Sequence, residues 1–174
     1  MKPEPTFNRI NDALSYDPES GVITWKYRHG VVEQANAAHA GEIAGSRHVE
    51  GYYHLFITIE GNSYRLRNHR VAWILMTGEW PTDQIDHRDG DKGNNRWLNL
   101  RASTHGQNQS NKKTYASSGF KGVTRIGDSS WRAQITINKK SKYLGIFKTA
   151  EEAHAAFCKA SELQHGEFAH HLSI

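Results

Sequence analysis

The chain has one cysteine, Cys158, two methionines and four prolines among 174 residues. A single thiol cannot close an internal disulfide, and it excludes a metal site built from several thiolates. No apolar run approaches the ~20 residues needed to span a bilayer. The opening MKPEPTFNRI lacks the apolar stretch of a secretory leader, so the expectation is a soluble cytoplasmic protein without a membrane partner. Acidic charge is scarce in one place only: residues 109–148 hold nine Lys and Arg against Asp128 alone.

That local excess of +8 sits between residues 1–108, where 12 basic and 13 acidic side chains give −1, and residues 149–174, which return to −3. The whole chain carries only +4 from 22 basic and 18 acidic residues, so the charge is concentrated rather than large. A basic block inside a balanced chain is the electrostatic footprint of a polyanion partner. A solvated basic face would give the same count, and charge by itself does not separate the two.

Along the chain, Asp17-Pro18-Glu19-Ser20-Gly21 reads as a turn before the strand-like run of residues 22–27. Residues 31–47, rich in Ala, Gly and His, show weak periodicity and read as a loop. Residues 51–67 form a hairpin pattern: Tyr53, Leu55, Ile57 and Ile59 alternate, Glu60-Gly61-Asn62 turns, and Tyr64 and Leu66 alternate again. An apolar helix follows, closed at Thr77-Gly78. Residues 85–101 are polar and turn-rich, and a helix capped by Ser103 or Thr104 is expected to run to about Lys112. Three short strands then alternate with turns, and Thr149-Ala150-Glu151-Glu152 has capping-box spacing. The helix it opens carries Ala153, Ala156, Phe157, Ala160 and Leu163 on one face and stops at Gly166. The expected organisation is an α+β chain of two modules, residues 1–112 and 118–174, joined by a linker at 113–117.

Chemistry concentrates in residues 85–112. Asp86 and His87 are adjacent, and Asn108 follows in the expected helix. A carboxylate and an amide oxygen are hard donors of the kind Mg²⁺ accepts, and a neutral imidazole beside them can take a proton from water near neutral pH. An isolated Asp-His pair is common in turns. The full stretch Ile85-Asp86-His87-Arg88-Asp89-Gly90-Asp91-Lys92-Gly93-Asn94-Asn95, with Asn99-Leu100-Arg101 and Gln107-Asn108, resembles the HNH nuclease family in its phage and intron homing-endonuclease branch. The upstream pieces Leu14-Ser15-Tyr16-Asp17-Pro18, Gly51-Tyr52 and His69-Arg70-Val71-Ala72-Trp73 resemble the same proteins.

The resemblance implies a ββα-metal region holding one divalent ion, Mg²⁺ or Mn²⁺. His87 would be the general base, Asn99 the residue that fixes the His loop, and Asp86 with Asn108 the metal ligands. His105, one helical turn from Asn108, is the alternative ligand. Residues 118–160 resemble the AP2 DNA-binding domain through Ser118-Gly119-Phe120-Lys121-Gly122-Val123, Trp131-Arg132-Ala133-Gln134-Ile135, Tyr143-Leu144-Gly145-Ile146-Phe147 and Thr149-Ala150-Glu151-Glu152-Ala153. That resemblance implies a three-stranded antiparallel sheet lying in the major groove with a helix behind it. The groove-facing candidates are Arg125, Arg132, Gln134, Thr136 and Lys142, with Trp131 close to backbone or bases. Together the resemblances imply a homing-type endonuclease of a phage, acting on double-stranded DNA in a bacterial host, with its oligomeric state open and a nick in one strand the default product of a monomer. A non-catalytic DNA-binding regulator is the competing expectation.

Overall fold

A computed structural model describes residues 3–28, 33–110, 117–137 and 140–169. The chain divides into two compact units, residues 1–102 and 103–174, each considered by itself. The expected linker at 113–117 lies, except for its last residue, outside the described residues, as do Lys112, Lys113 and Lys139 of the basic block.

The first unit begins with α1 (Phe7–Ala13), which buries Ile10 and Ala13. Seven residues are too few for a helical period to register in a sequence, and so short a helix is held by the face it buries. Strands β1 (Leu14–Tyr16) and β2 (Ile23–Trp25) pair antiparallel around the Asp17–Gly21 turn, in which the Gly21 N–H donates to the Asp17 carbonyl at 2.8 Å. The region expected to be a loop contains α2 (Glu33–His39) and the short β3 (Ser46–Arg47), which corrects that expectation. The sequence EQANAAH is made largely of strong helix formers, so intrinsic propensity carried a signal that hydrophobic periodicity did not.

The hairpin forms as expected. Strands β4 (Tyr53–Ile59) and β5 (Asn62–Arg67) pair with Ile59 opposite Asn62, leaving Glu60-Gly61 as a two-residue loop with φ of 50° and 73°. Two positive φ values define the turn whose twist matches a hairpin, and glycine adopts the second without strain. Helix α3 (Asn68–Thr77) follows and ends at Gly78 in the left-handed conformation. Ile10, Leu14, Ile23, Leu55, Leu66, Val71 and Ile74 form the main core with Phe7, Trp25 and Trp80 packed around it. Each such aliphatic side chain contributes about 1.5–3 kcal/mol on burial.

A second, smaller cluster underlies the polar stretch. Ala72 from α3 meets Ile85 and Leu100, flanked by Trp73 and Trp97, whose rings stand 5.3 Å apart. Ile85 lies in β6 (Gln84–His87) and Leu100 begins β7 (Leu100–Ser103), and these two strands pair. The few apolar residues of this region therefore anchor its strands to α3 while the chain between them stays polar.

The second unit opens with α4 (His105–Ser110), which lies beside α5 (Ala150–His165). Its sheet has the order β10-β9-β8, all antiparallel, from β8 (Val123–Ile126), β9 (Ser130–Ile137) and β10 (Lys140–Phe147). At the start of α5 the Thr149 side chain accepts from the Glu152 N–H at 3.2 Å and the Glu152 carboxylate accepts from the Lys148 N–H at 3.1 Å. Buried on α5 are Ala150, Ala153, Phe157 and Ser161, whereas Leu163 is 85% exposed. The inward stripe is thus set by spacings of three and four from Ala150, and Leu163, expected inside, falls off it. The small alanines bring α5 close to Val123 and Ala133 of the sheet.

Candidate active site and nucleic-acid face

Asp86 and His87 close β6, where alternation sends adjacent side chains to opposite faces. Both are nonetheless buried, at 3% and 4% exposure, so the strand is covered on each side. On one side Arg101 from β7 donates through Nε to Asp86 Oδ2 at 2.8 Å, and its Nη2 stands 2.7 Å from the same oxygen. Arg101 is itself only 7% exposed. A buried carboxylate requires such a partner, because desolvation of an unpaired charge costs several kcal/mol. Nothing local in the sequence marks Arg101; the pairing of β6 with β7 is what brings it to Asp86.

On the other side the His87 Nε2 lies 3.2 Å from Asn95 Oδ1. An amide oxygen only accepts, so Nε2–H donates and the neutral ring carries its basic lone pair on Nδ1. Burial lowers the His87 pKa, while the Asn95 bond and the nearby Asp89, Asp86 and Asp91 oppose that shift. The net effect is an imidazole that stays neutral to lower pH than an ordinary histidine. Asn95, 4% exposed, is in sequence one Asn of several in a polar run, and only the fold distinguishes it.

Asn99, in a 3-10 turn at Trp97–Asn99, braces the loop after His87. Its carbonyl accepts from the Arg88 N–H at 2.9 Å and its side-chain oxygen from the Asp89 N–H at 3.1 Å. Its amide donates to Asp89 Oδ1 at 3.0 Å and to the Asn94 carbonyl at 2.8 Å. Burial pushes the Asp89 pKa up, but bonds from Asn94, the Asp91 N–H and Asn99 outweigh it and leave the carboxyl below its ordinary value.

The Asp17–Gly21 turn supports Asn95 from behind. Tyr16 donates its hydroxyl to the Asn95 carbonyl at 2.7 Å, and the Trp97 N–H donates to the Pro18 carbonyl at 3.0 Å. Gly21 has φ +76°, and a Cβ there would stand 2.5 Å from the Arg96 nitrogen and the Asn95 carbonyl carbon. The backbones approach so closely that glycine is required at this position.

His69 of α3 meets the His87 ring edge-on at 5.2 Å. It is 5% exposed, and its Nδ1 is buried without a hydrogen-bond partner among the described residues. Burial, reinforced by His87 and nearby arginines, holds its pKa well below the usual value. The Tyr52 ring completes this wall, 5.3 Å from His69 and 6.0 Å from His87.

Asn108 and His105 lie on α4, in the second unit. That helix starts with a reciprocal cap: the Gln107 side chain accepts from the Thr104 N–H at 2.8 Å and Thr104 Oγ1 accepts from the Gln107 N–H at 3.3 Å. Among the described residues no group of three or more His, Cys, Asp and Glu is placed to hold a metal ion. Asp86 is the buried carboxylate beside His87, and the carboxylates of Asp89 and Asp91 also act on the ring.

In the second unit, register separates the expected groove-facing residues. Thr124 pairs with Arg132 and Tyr143 with Gln134, which with Thr136 form the row opposite the one holding Val123, Ala133 and Ile135. Arg132, Gln134 and Thr136 thus share the face turned from α5, together with Tyr143 and Ile146, which are 60% and 56% exposed. Arg125 pairs with Trp131, and Lys142 with Ile135, placing these three in the helix-side row. Trp131 packs against the cluster of Val123 and Ala133, with the Arg125 guanidinium 5.8 Å from its ring centre. Cys158, partly buried on α5, has its thiol pKa raised by burial and keeps its proton.

Residues 67–110 match the family model of HNH endonucleases. An uncharacterized HNH endonuclease of Acanthamoeba polyphaga mimivirus is 34% identical over 107 residues, which cover 60% of this chain and 56% of that protein. The chain thus spans little more than half the length of this relative. A solved structure described as DNA binding and cleavage by the HNH homing endonuclease I-HmuI aligns with a TM-score of 0.47 at 16% identity, over 92% of this chain and 90% of the other. The family match spans the strand that carries Asp86 and His87.

Proposed function

We propose that the chain is a metal-dependent DNA endonuclease of homing type, which hydrolyses one phosphodiester and nicks one strand at a recognised site. The observation that carries this reading is His87: a buried imidazole with lowered pKa, fixed in one tautomer by Asn95, on the strand matched to a nuclease family. Its Nδ1 takes the proton of a water whose oxygen attacks phosphorus. The bond to the 3′-oxygen then breaks and that oxygen takes a proton from solvent water, leaving 5′-phosphate and 3′-hydroxyl ends. Asn99 acts through the loop it braces, holding His87 in place. Arg101 keeps Asp86 paired and oriented.

The donor chemistry fits a hard divalent cation, Mg²⁺ or Mn²⁺, which takes one or two protein oxygens and completes its shell with water and phosphate. Asp86 and Asn108 would hold it, an assignment that rests on the sequence motif, with His105 as the alternative to Asn108. Bound there, it would neutralise charge on the scissile phosphate and the departing oxygen. Residues 118–160 are the reader, an AP2-like sheet whose Arg132, Gln134 and Thr136 offer major-groove donors and acceptors. Arg125, Trp131 and Lys142 lie in the opposite, helix-side row and are not part of that base-reading face.

One observation favours a second reading, the DNA-binding regulator: Asp86 Oδ2 is already engaged by a buried arginine. Incubating the full chain with its encoding genome in Mg²⁺ or Mn²⁺, beside Asp86→Asn and an EDTA control, separates the two. Discrete nicks lost in the variant and in EDTA support the nuclease. Retarded DNA without cleavage by the wild type supports the regulator.

A further inference from the structure

The ring that walls His87 also gathers positive charge. Tyr52 has the Arg67 guanidinium carbon 4.8 Å and the Lys92 ammonium 4.9 Å from its ring centre. The two cations reach it from opposite parts of the chain, Arg67 from the junction of β5 with α3 and Lys92 from the loop between β6 and β7 that Asn99 braces. Two like charges on one ring repel each other, so this arrangement needs anchors and favours an anion between or beside them.

The anchors leave most of the charge uncancelled. Lys92 donates to the Glu50 carbonyl at 3.1 Å, and its other described contact is the ring face, so both of these partners are uncharged. Arg67 faces the Glu50 carboxylate at 3.9 Å, with both side chains about half exposed at 47% and 55%. Ion pairs of that length and exposure contribute little. Arg47 behaves differently, because Asp91 and the Gly51 carbonyl hold it at 3.2 and 3.3 Å.

We infer that Tyr52, Arg67 and Lys92 form a clamp for the DNA backbone, gripping phosphates beside the one that His87 attacks. This deepens the nuclease reading and rests on it for the location of the cut. The ligand chemistry is a phosphodiester: exposed cations on an aromatic plate suit a diffuse polyanion, and the plate's centre stands 6.0 Å from that of the reacting imidazole, so a gripped backbone is set relative to His87. Arg67 and Lys92 are positioning residues, and Tyr52 is their seat.

The test is a salt titration of duplex binding by the full chain in EDTA, where no cleavage intervenes. Each lost phosphate contact lowers the slope of log affinity against log salt by about 0.9, and from 50 to 200 mM salt it is worth about 3.5-fold in affinity. Lys92→Gln and Arg67→Gln should each flatten the slope by that amount at unchanged melting temperature, and Lys92→Arg should keep the wild-type slope. An unchanged slope in Lys92→Gln, or an equal loss in Lys92→Arg, overturns the clamp. Should Arg67→Gln melt early, the two Lys92 variants decide alone. A wild type that never cuts DNA while Lys92→Gln flattens the slope defeats the nuclease reading and leaves the clamp standing; cutting with an unaltered slope does the reverse.

Discussion

Replacing Asn95 tests the tautomer argument. In Asn95→Ala the His87 Nε2–H loses the acceptor that stands 3.2 Å away, inside a site where both residues are 4% exposed. A buried donor without a partner costs about 1–3 kcal/mol. If that cost falls on the oriented, reactive ring, a tenfold rate per ~1.4 kcal/mol gives a fall of roughly 5- to 150-fold in single-turnover nicking. The Asn95 bond also raises the His87 pKa. Its loss lowers that pKa further, and since the base works only when neutral, the acid limb of the pH–rate profile shifts to lower pH in Asn95→Ala. Asn95→Asp places a negative charge at the same nitrogen, raises the pKa, and shifts the limb to higher pH. The Asn95 carbonyl that accepts from Tyr16 is retained in both variants. Single-turnover rates from pH 4.5 to 8 for the three proteins provide the assay. Acid limbs that coincide, or that move in the same direction, refute the reasoning.

Three further outcomes follow from the same geometry. Gly21→Ala should lower the urea midpoint and the nicking rate together, with about 1–2 kcal/mol lost to the left-handed backbone alone and more to the clash with residues 95 and 96; wild-type behaviour in both measurements contradicts the close approach. Arg101→Met strands the buried Asp86 carboxylate and should cost about 3–5 kcal/mol in chemical denaturation, whereas Arg101→Met with Asp86→Asn recovers most of it. A small loss in the single variant would mean that the pair is not buried. His69 is neutral in the fold with its pKa well below the unfolded value of about 6.5, so its contribution is complete above that pH and is lost as pH falls below it, at up to ~1.4 kcal/mol per unit. His69→Phe should flatten the decline in stability between pH 6.5 and 5; an equal slope in the two proteins counts against a buried neutral His69.

What the residues revealed in advance followed from strong local periods. The 51–67 hairpin, the helix ending at Gly78, the Thr149 cap and the three-stranded sheet each rest on alternation, a glycine or a capping pair within a few positions. The α1 and α2 segments were missed because seven-residue helices show no period, and Leu163 was misplaced because alanines mark a helical face only weakly. At the site, Asp86, His87 and Asn99 stood out by their order in a motif. Arg101, Asn95 and the Gly21 turn did not: their roles depend on which strand pairs with β6 and which turn lies behind the loop, and those are long-range facts. The same holds for the sheet, where strand register divided the expected face between Arg132, Gln134 and Thr136 on one side and Arg125, Trp131 and Lys142 on the other.

The most direct measurement is single-turnover nicking of target DNA in Mg²⁺ by the wild type and by His87→Gly, with and without added imidazole. General-base catalysis is worth about 10²–10⁴-fold. The account predicts a loss of that size in His87→Gly and a partial recovery that grows with the concentration of neutral imidazole. Cleavage by His87→Gly at the wild-type rate would contradict it.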